Sequence, residues 1–158
     1  MKVSDIGHEL IYGAPVLAYA GLIFVLSSST ALTHVIPSVF GFDKLAHFCE
    51  YYIFGFLIHR WLRAKRSGFA DRYAAHLTVV IGTLYGLSDE WHQSFVPGRH
   101  ATLWDVLFDG LGVVTAALSY PAIIKRIPFF AVNPPQGLSP RFVAGKGDKN
   151  GRCFSKKG

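Results

Sequence analysis

Asp89, Glu90, His92, Gln93, Arg99, His100, Asp105 and Asp109 crowd one short stretch of this chain, between Tyr85 and Gly112, and apolar residues run away from it on both sides. Carboxylates and imidazoles can move protons, hold amine or hydroxyl groups, or ligate cations. An arginine among them can grip a phosphate or a carboxylate through two parallel hydrogen bonds. Asp43, Lys44, His47, Glu50 and Tyr51 form a second polar group earlier in the chain. Positions 47, 50 and 51 are three and four apart, so on a helix they share one face. Ionisable groups this close to hydrocarbon are costly unless paired or used, and the pattern reads as a polar site at a membrane surface.

The elements that must position these residues follow from the apolar runs. Residues 10–26 carry no charge, and at about 1.5 Å per residue they give about 25 Å of helix, enough for a short membrane span. Lys2 with Asp5 and Glu9 makes a poor positive leader region, so this run is expected to be a span and not a cleaved signal. Residues 30–42 stay apolar but are broken by Pro37 and Gly41, which predicts a loop along the interface. Asp43 then opens a second apolar helix to about Leu62, its charge suited to the positive end of the helix dipole. Arg60, Arg63, Lys65, Arg66 and Arg72 fill the next connection. A third span is predicted over residues 73–87, with Gly82 and Gly86 spaced for close helix approach, emerging at Asp89 and Glu90. Pro97 and Gly98 mark a turn. Thr102 and Asp105 have capping-box spacing, and a fourth span is expected over residues 104–124, with Asp105 and Asp109 on one face. Gly110, Gly112 and Ala116 read as small-residue packing positions.

Totals support this reading. Hydrophobic residues make up 51% of the 158 and charged ones 16%, with a positive mean hydropathy, a richer apolar content than soluble domains carry. The net charge of +6 does not imply nucleic acid, because the basic residues sit in blocks that flank apolar runs. Six of the ten carboxylates (Asp43, Glu50, Asp89, Glu90, Asp105, Asp109) fall at the expected outer helix ends, against only Lys44 and Arg99 of sixteen basic residues. By the positive-inside tendency both termini are expected in the cytoplasm and the acidic site outside. Trp61 and Tyr73 at one boundary and Trp91 and Trp104 at the other fit aromatic belts. Cys49 and Cys153 are too isolated for a disulfide framework or a CxxC metal pattern.

Competing chemistries are weaker. His47 with Glu50, or Asp89 with His92, could ligate a divalent ion, yet no HExxH or equivalent fixes a geometry, so neither a metal nor a cofactor is expected. Ser88 and Ser94 lie outside any GxSxG elbow, and Cys49 sits in apolar surroundings that disfavour a thiolate. The plainer alternative is structural: Arg99 and Lys44 would neutralise neighbouring acids, and Gln93 with Asp109 would tie helices together.

Three segments together resemble the VanZ-like family of bacterial membrane proteins. They are Asp43-Lys44-x-x-His47-Phe48-x-x-Tyr51-x-x-x-Gly55, Tyr85-Gly86-x-x-Asp89-Glu90-x-His92-Gln93-x-Phe95-Val96-Pro97-Gly98-Arg99, and Asp105-x-x-x-Asp109-x-x-Gly112. One departure is Asp109, where the family pattern usually has Asn. The resemblance implies a small multi-pass protein of the bacterial cytoplasmic (inner) membrane, in a family named for a member associated with teicoplanin resistance. It implies no established reaction. The expectation is an all-α membrane protein with four transmembrane helices over residues 10–126 and a basic, disordered cytoplasmic tail over 127–158. Its candidate site comprises Asp43, Lys44, His47, Glu50, Tyr51, Asp89, Glu90, Gln93, Arg99, Asp105 and Asp109. The expected partners are membrane lipid and a lipid-linked cell-wall precursor, with self-association left open. A membrane enzyme acting on a lipid headgroup by acid-base chemistry is the second reading. A small transporter or purely structural protein is the third.

Overall fold

The computed structural model describes residues 3–29, 41–65, 68–99 and 101–132, and among these the chain is helical, with no strand. Four long helices, α1 (Val3–Ser27), α2 (Phe42–Ala64), α4 (Ala74–Gln93) and α5 (Leu103–Arg126), are joined by a short α3 (Gly68–Arg72) and followed by a 3-10 turn (Pro128–Phe130). Two stretches, Glu9–Ser27 of α1 and all of α5, are long and apolar enough to cross a membrane. α2 carries Asp43, Lys44, Glu50, Arg60 and Arg63, and α4 ends in Asp89 and Glu90, which dilutes the apolar signal of both.

Polar residues lie inside this bundle and apolar ones outside. Asp109, Thr78, Asp105, Gln93, Asp89 and Glu90 are all buried, whereas Leu17 is 76% exposed, Leu84 61% and Leu118 74%. Water-soluble proteins rarely show such continuous outward hydrocarbon, and lipid is the solvent it suits. The core that remains is aromatic and small: Tyr51, Phe54 and Ile58 of α2 pack with Val113 and Ala116 of α5. The Tyr51 and Phe54 rings meet edge to face with centroids 6.1 Å apart.

α2 is the central helix, in contact with α1, α4 and α5, and its seam with α5 is the most extensive. Glycine makes that seam possible. A Cβ on Gly112 would stand 2.5 Å from the Phe48 carbonyl oxygen and 2.9 Å from the Tyr52 nitrogen, so no larger residue fits without driving the helices apart. Gly86 of α4 serves the same end, since its missing Cβ would lie 3.2 Å from Asp109 Oδ2. Gly110, read from the sequence as a packing position, instead meets only Thr83 at 4.0 Å. Tyr85 of α4 donates to the Ala20 carbonyl of α1 at 2.6 Å.

Two boundaries differ from expectation. α4 continues past Leu87 to Gln93, so Asp89, Glu90 and Gln93 stay on the helix beyond the expected apolar span. α3 forms within the basic connection, its Asp71 bridging Arg63 at 2.8 Å. The expected interface loop falls largely in residues 30–40, outside the described residues, as do His100 and residues 133–158 of the expected tail.

Candidate functional site

Three helix ends meet at one end of the bundle. α2 starts there with Asp43, Lys44 and His47, α4 ends there with Asp89, Glu90 and Gln93, and α5 starts there with Asp105 and Asp109. Gly98, at φ 83°, makes the turn of the connection between α4 and α5, a left-handed backbone that favours glycine. Thr102 then caps α5. Its side chain accepts from the Asp105 N–H, while the Asp105 carboxylate accepts from the Thr102 N–H at 3.2 Å and from its hydroxyl at 2.6 Å. The spacing read as a capping box forms one, with Asp in the place usually held by Glu or Gln.

The cap is also the floor of the site. Lys44 Nζ donates to Asp105 Oδ1 and, at 2.9 Å, to Asp43 Oδ2, bridging α2 to α5. His47 Nδ1 lies 2.9 Å from Asp109 Oδ1 and 3.9 Å from Glu90 Oε1, so one imidazole faces α4 and α5 together. Its Nε2 faces Asp43 Oδ1 at 3.9 Å and Asp105 Oδ1 at 4.0 Å. Glu90 Oε2 accepts from the Thr102 N–H at 3.2 Å. Gln93 donates to Asp89 at 2.8 Å one turn back on α4. Negative charge is in surplus here, since four carboxylates, Asp43, Glu90, Asp105 and Asp109, stand within 4.0 Å of Lys44 or His47. Glu50, half-buried, is within electrostatic reach of His47, Asp89, Asp109 and Arg99. Tyr51 is wholly buried, its hydroxyl without a hydrogen-bond partner and close to Asp89 and Asp109 in charge terms.

Arg99 is differently employed. It donates through Nε to the Ser27 carbonyl at 3.2 Å and through a terminal nitrogen to the Leu26 carbonyl at 3.3 Å. These carbonyls lie at the negative end of α1, the natural partner for a guanidinium, although the Leu26 carbonyl also accepts from the Ser29 N–H at 3.1 Å. No ion pair from Arg99 to a carboxylate is present among the described residues. His92 has its ring against Phe24 of α1, centroids 4.6 Å apart, and its buried Nδ1 has no hydrogen-bond partner among the described residues. Thr102 is the participant that the sequence pattern assigned only to capping.

Two triads could hold a cation: Asp43, His47 and Asp105, and the more buried His47, Glu90 and Asp109. Neither of the pairings considered from sequence, His47 with Glu50 or Asp89 with His92, is among them. Beside the cluster opens a cavity of about 590 Å³ lined by Gly41, Lys44, Leu45, Phe48, Trp104 and Phe108, apolar except at Lys44. Trp91, Phe95, Leu103 and Trp104 are exposed around the same end.

The family described as VanZ/LLP1 matches residues 11–125. The chain belongs to the VanZ/LLP1 family. Every candidate site residue lies within the matched segment, and membership suggests a bacterial envelope protein with a link to glycopeptide resistance. No curated protein and no solved structure matches the chain.

Proposed function

We propose that this VanZ/LLP1 protein crosses the bacterial cytoplasmic membrane four times with both ends in the cytoplasm. Its acidic cleft then opens to the outer face, binds a lipid-linked or peptidoglycan-related molecule and alters susceptibility to glycopeptides such as teicoplanin. One observation carries the reading: the buried polar cluster and the apolar cavity are contiguous through Lys44. That arrangement suits an amphiphile whose polar head meets carboxylates while its hydrocarbon lies against Phe48, Trp104 and Phe108. With Arg99 engaged at α1, the acid surplus favours amine- and hydroxyl-bearing heads, which donate to carboxylates through charge-assisted bonds.

Labelled lipid-linked precursors offered to the protein in nanodiscs test this. Binding is expected to weaken about tenfold in Asp89→Asn and Asp105→Asn, the loss of one charge-assisted bond each. Equal binding by well-folded variants overturns the reading. Reporter fusions at Ser67 and at the C-terminus are expected to report cytoplasm, and an external signal from either would reject the four-span arrangement.

A second reading, acid-base turnover of a lipid headgroup, draws on the His47–Asp109 contact of 2.9 Å, which orients an imidazole as a proton acceptor is oriented in known dyads. Product formed by purified wild type and lost in His47→Gln would favour it over binding alone.

A further inference from the structure

His47 of α2, Glu90 of α4 and Asp109 of α5 each bring one ligand-type atom within 4.8 Å of the other two. The imidazole Nδ1 stands 2.9 Å from Asp109 Oδ1 and 3.9 Å from Glu90 Oε1. Around a cation bound at about 2.1 Å, neighbouring ligand atoms are about 3.0–3.4 Å apart, so closure of these side chains by about an ångström converts the cluster into a coordination shell.

A second observation points to a ligand. Glu90 is only 5% exposed, and while its Oε2 is held by the Thr102 N–H, its Oε1 has no hydrogen-bond partner among the described residues and faces His47. Buried carboxylate oxygens are seldom left unpaired, because the cost of desolvation is then uncompensated. Asp109, fully buried, has an unpartnered Oδ2 as well. On the far side of the ring, Nε2 faces Asp43 at 3.9 Å and Asp105 at 4.0 Å, carboxylates of the type that accept from the free N–H of a metal-bound imidazole. Lys44 and His47 do not balance Asp43, Glu90, Asp105 and Asp109, and a dication would narrow that deficit.

We propose that His47, Glu90 and Asp109 bind a divalent transition ion of the zinc class. One imidazole nitrogen with two carboxylates suits such an ion better than Ca²⁺ or Mg²⁺, which favour oxygen-only shells. Three protein ligands from three helices leave a coordination position open towards the cleft. The site pins α2, α4 and α5 together whether or not an envelope molecule binds beside it, so it goes beyond the reading above and does not depend on it.

The test is titration of the full-length, chelator-stripped protein in detergent with Zn²⁺ alone, followed by calorimetry and by analysis of retained metal. Wild type is expected to take up one ion per chain, and Glu90→Gln and Asp109→Asn to weaken uptake by about tenfold or more. Both substitutions keep the size and shape of the side chain and so test the site in a folded chain, with helicity checked by circular dichroism. No stoichiometric Zn²⁺ in wild type overturns the proposal. So does wild-type affinity in both variants, or uptake that survives them and disappears in Cys49→Ser/Cys153→Ser.

Discussion

At one end of the bundle Lys44 and His47 stand among four carboxylates, with the Asp105 and Asp109 side chains 3% and 1% exposed. At the other end Glu9, Arg60, Arg63, Lys65 and Asp71 are spread over the rim, where the Lys65–Glu9 pair is 30% and 44% exposed. The basic end satisfies its cations on aromatic rings: Lys65 sits 4.2 Å from the Trp61 centroid and Arg60 4.8 Å from that of Tyr12. Trp61 in turn donates to Glu9 at 3.0 Å. Cations spread over rings and water cost little to maintain, while a buried surplus of anions is expensive. The difference teaches that the acidic end is held against its own repulsion, as binding sites are, and the basic end is not.

Substitutions can break this contrast. The largest effect is expected from Lys44→Met, which leaves Asp105 buried with its charge uncompensated and should destabilise the protein by about 3–5 kcal/mol, read as a fall in the detergent melting temperature. A loss under about 1 kcal/mol would mean that the acidic end is solvated after all. Gly112→Ala comes next. Its Cβ would strike the Phe48 carbonyl at 2.5 Å, and overpacking of this kind costs about 1–3 kcal/mol. The damage should fall on the α2–α5 seam, measurable as faster amide exchange around Tyr51. The smallest effect belongs to Lys65→Gln at the basic end, at most about 1 kcal/mol by the same melting assay, because its ion pair is half in water.

Much of this contrast is legible in the sequence, because charge runs and apolar runs are one-dimensional features. The crowding of acids near residues 43–50 and 89–109, the capping-box spacing of Thr102 and Asp105, and the glycine spacing of Gly82 and Gly86 all read directly. What does not read is partner choice across helices. Spacing places His47 and Glu50 on one face, but only the depth at which α5 packs, set by Gly112, decides that His47 meets Asp109. Arg99 is the sharper case. Its side chain has the chemistry to bind a carboxylate or a ligand, and nothing local reveals that the carbonyl end of α1, more than seventy residues earlier, needs capping. The reach of α4 is a simpler case: carboxylates after an apolar run signal exit from hydrocarbon, and exit from hydrocarbon does not end a helix.

The grip of Arg99 on Leu26 and Ser27 carries a mechanical corollary. The end of the connection that follows α4 is tethered through Arg99 to the last turn of the first helix, so the two must rise and sink together. A bilayer that thins or thickens around α1 would tug directly on the chain that leads into Thr102, and through it on the oxygen of Glu90 held there.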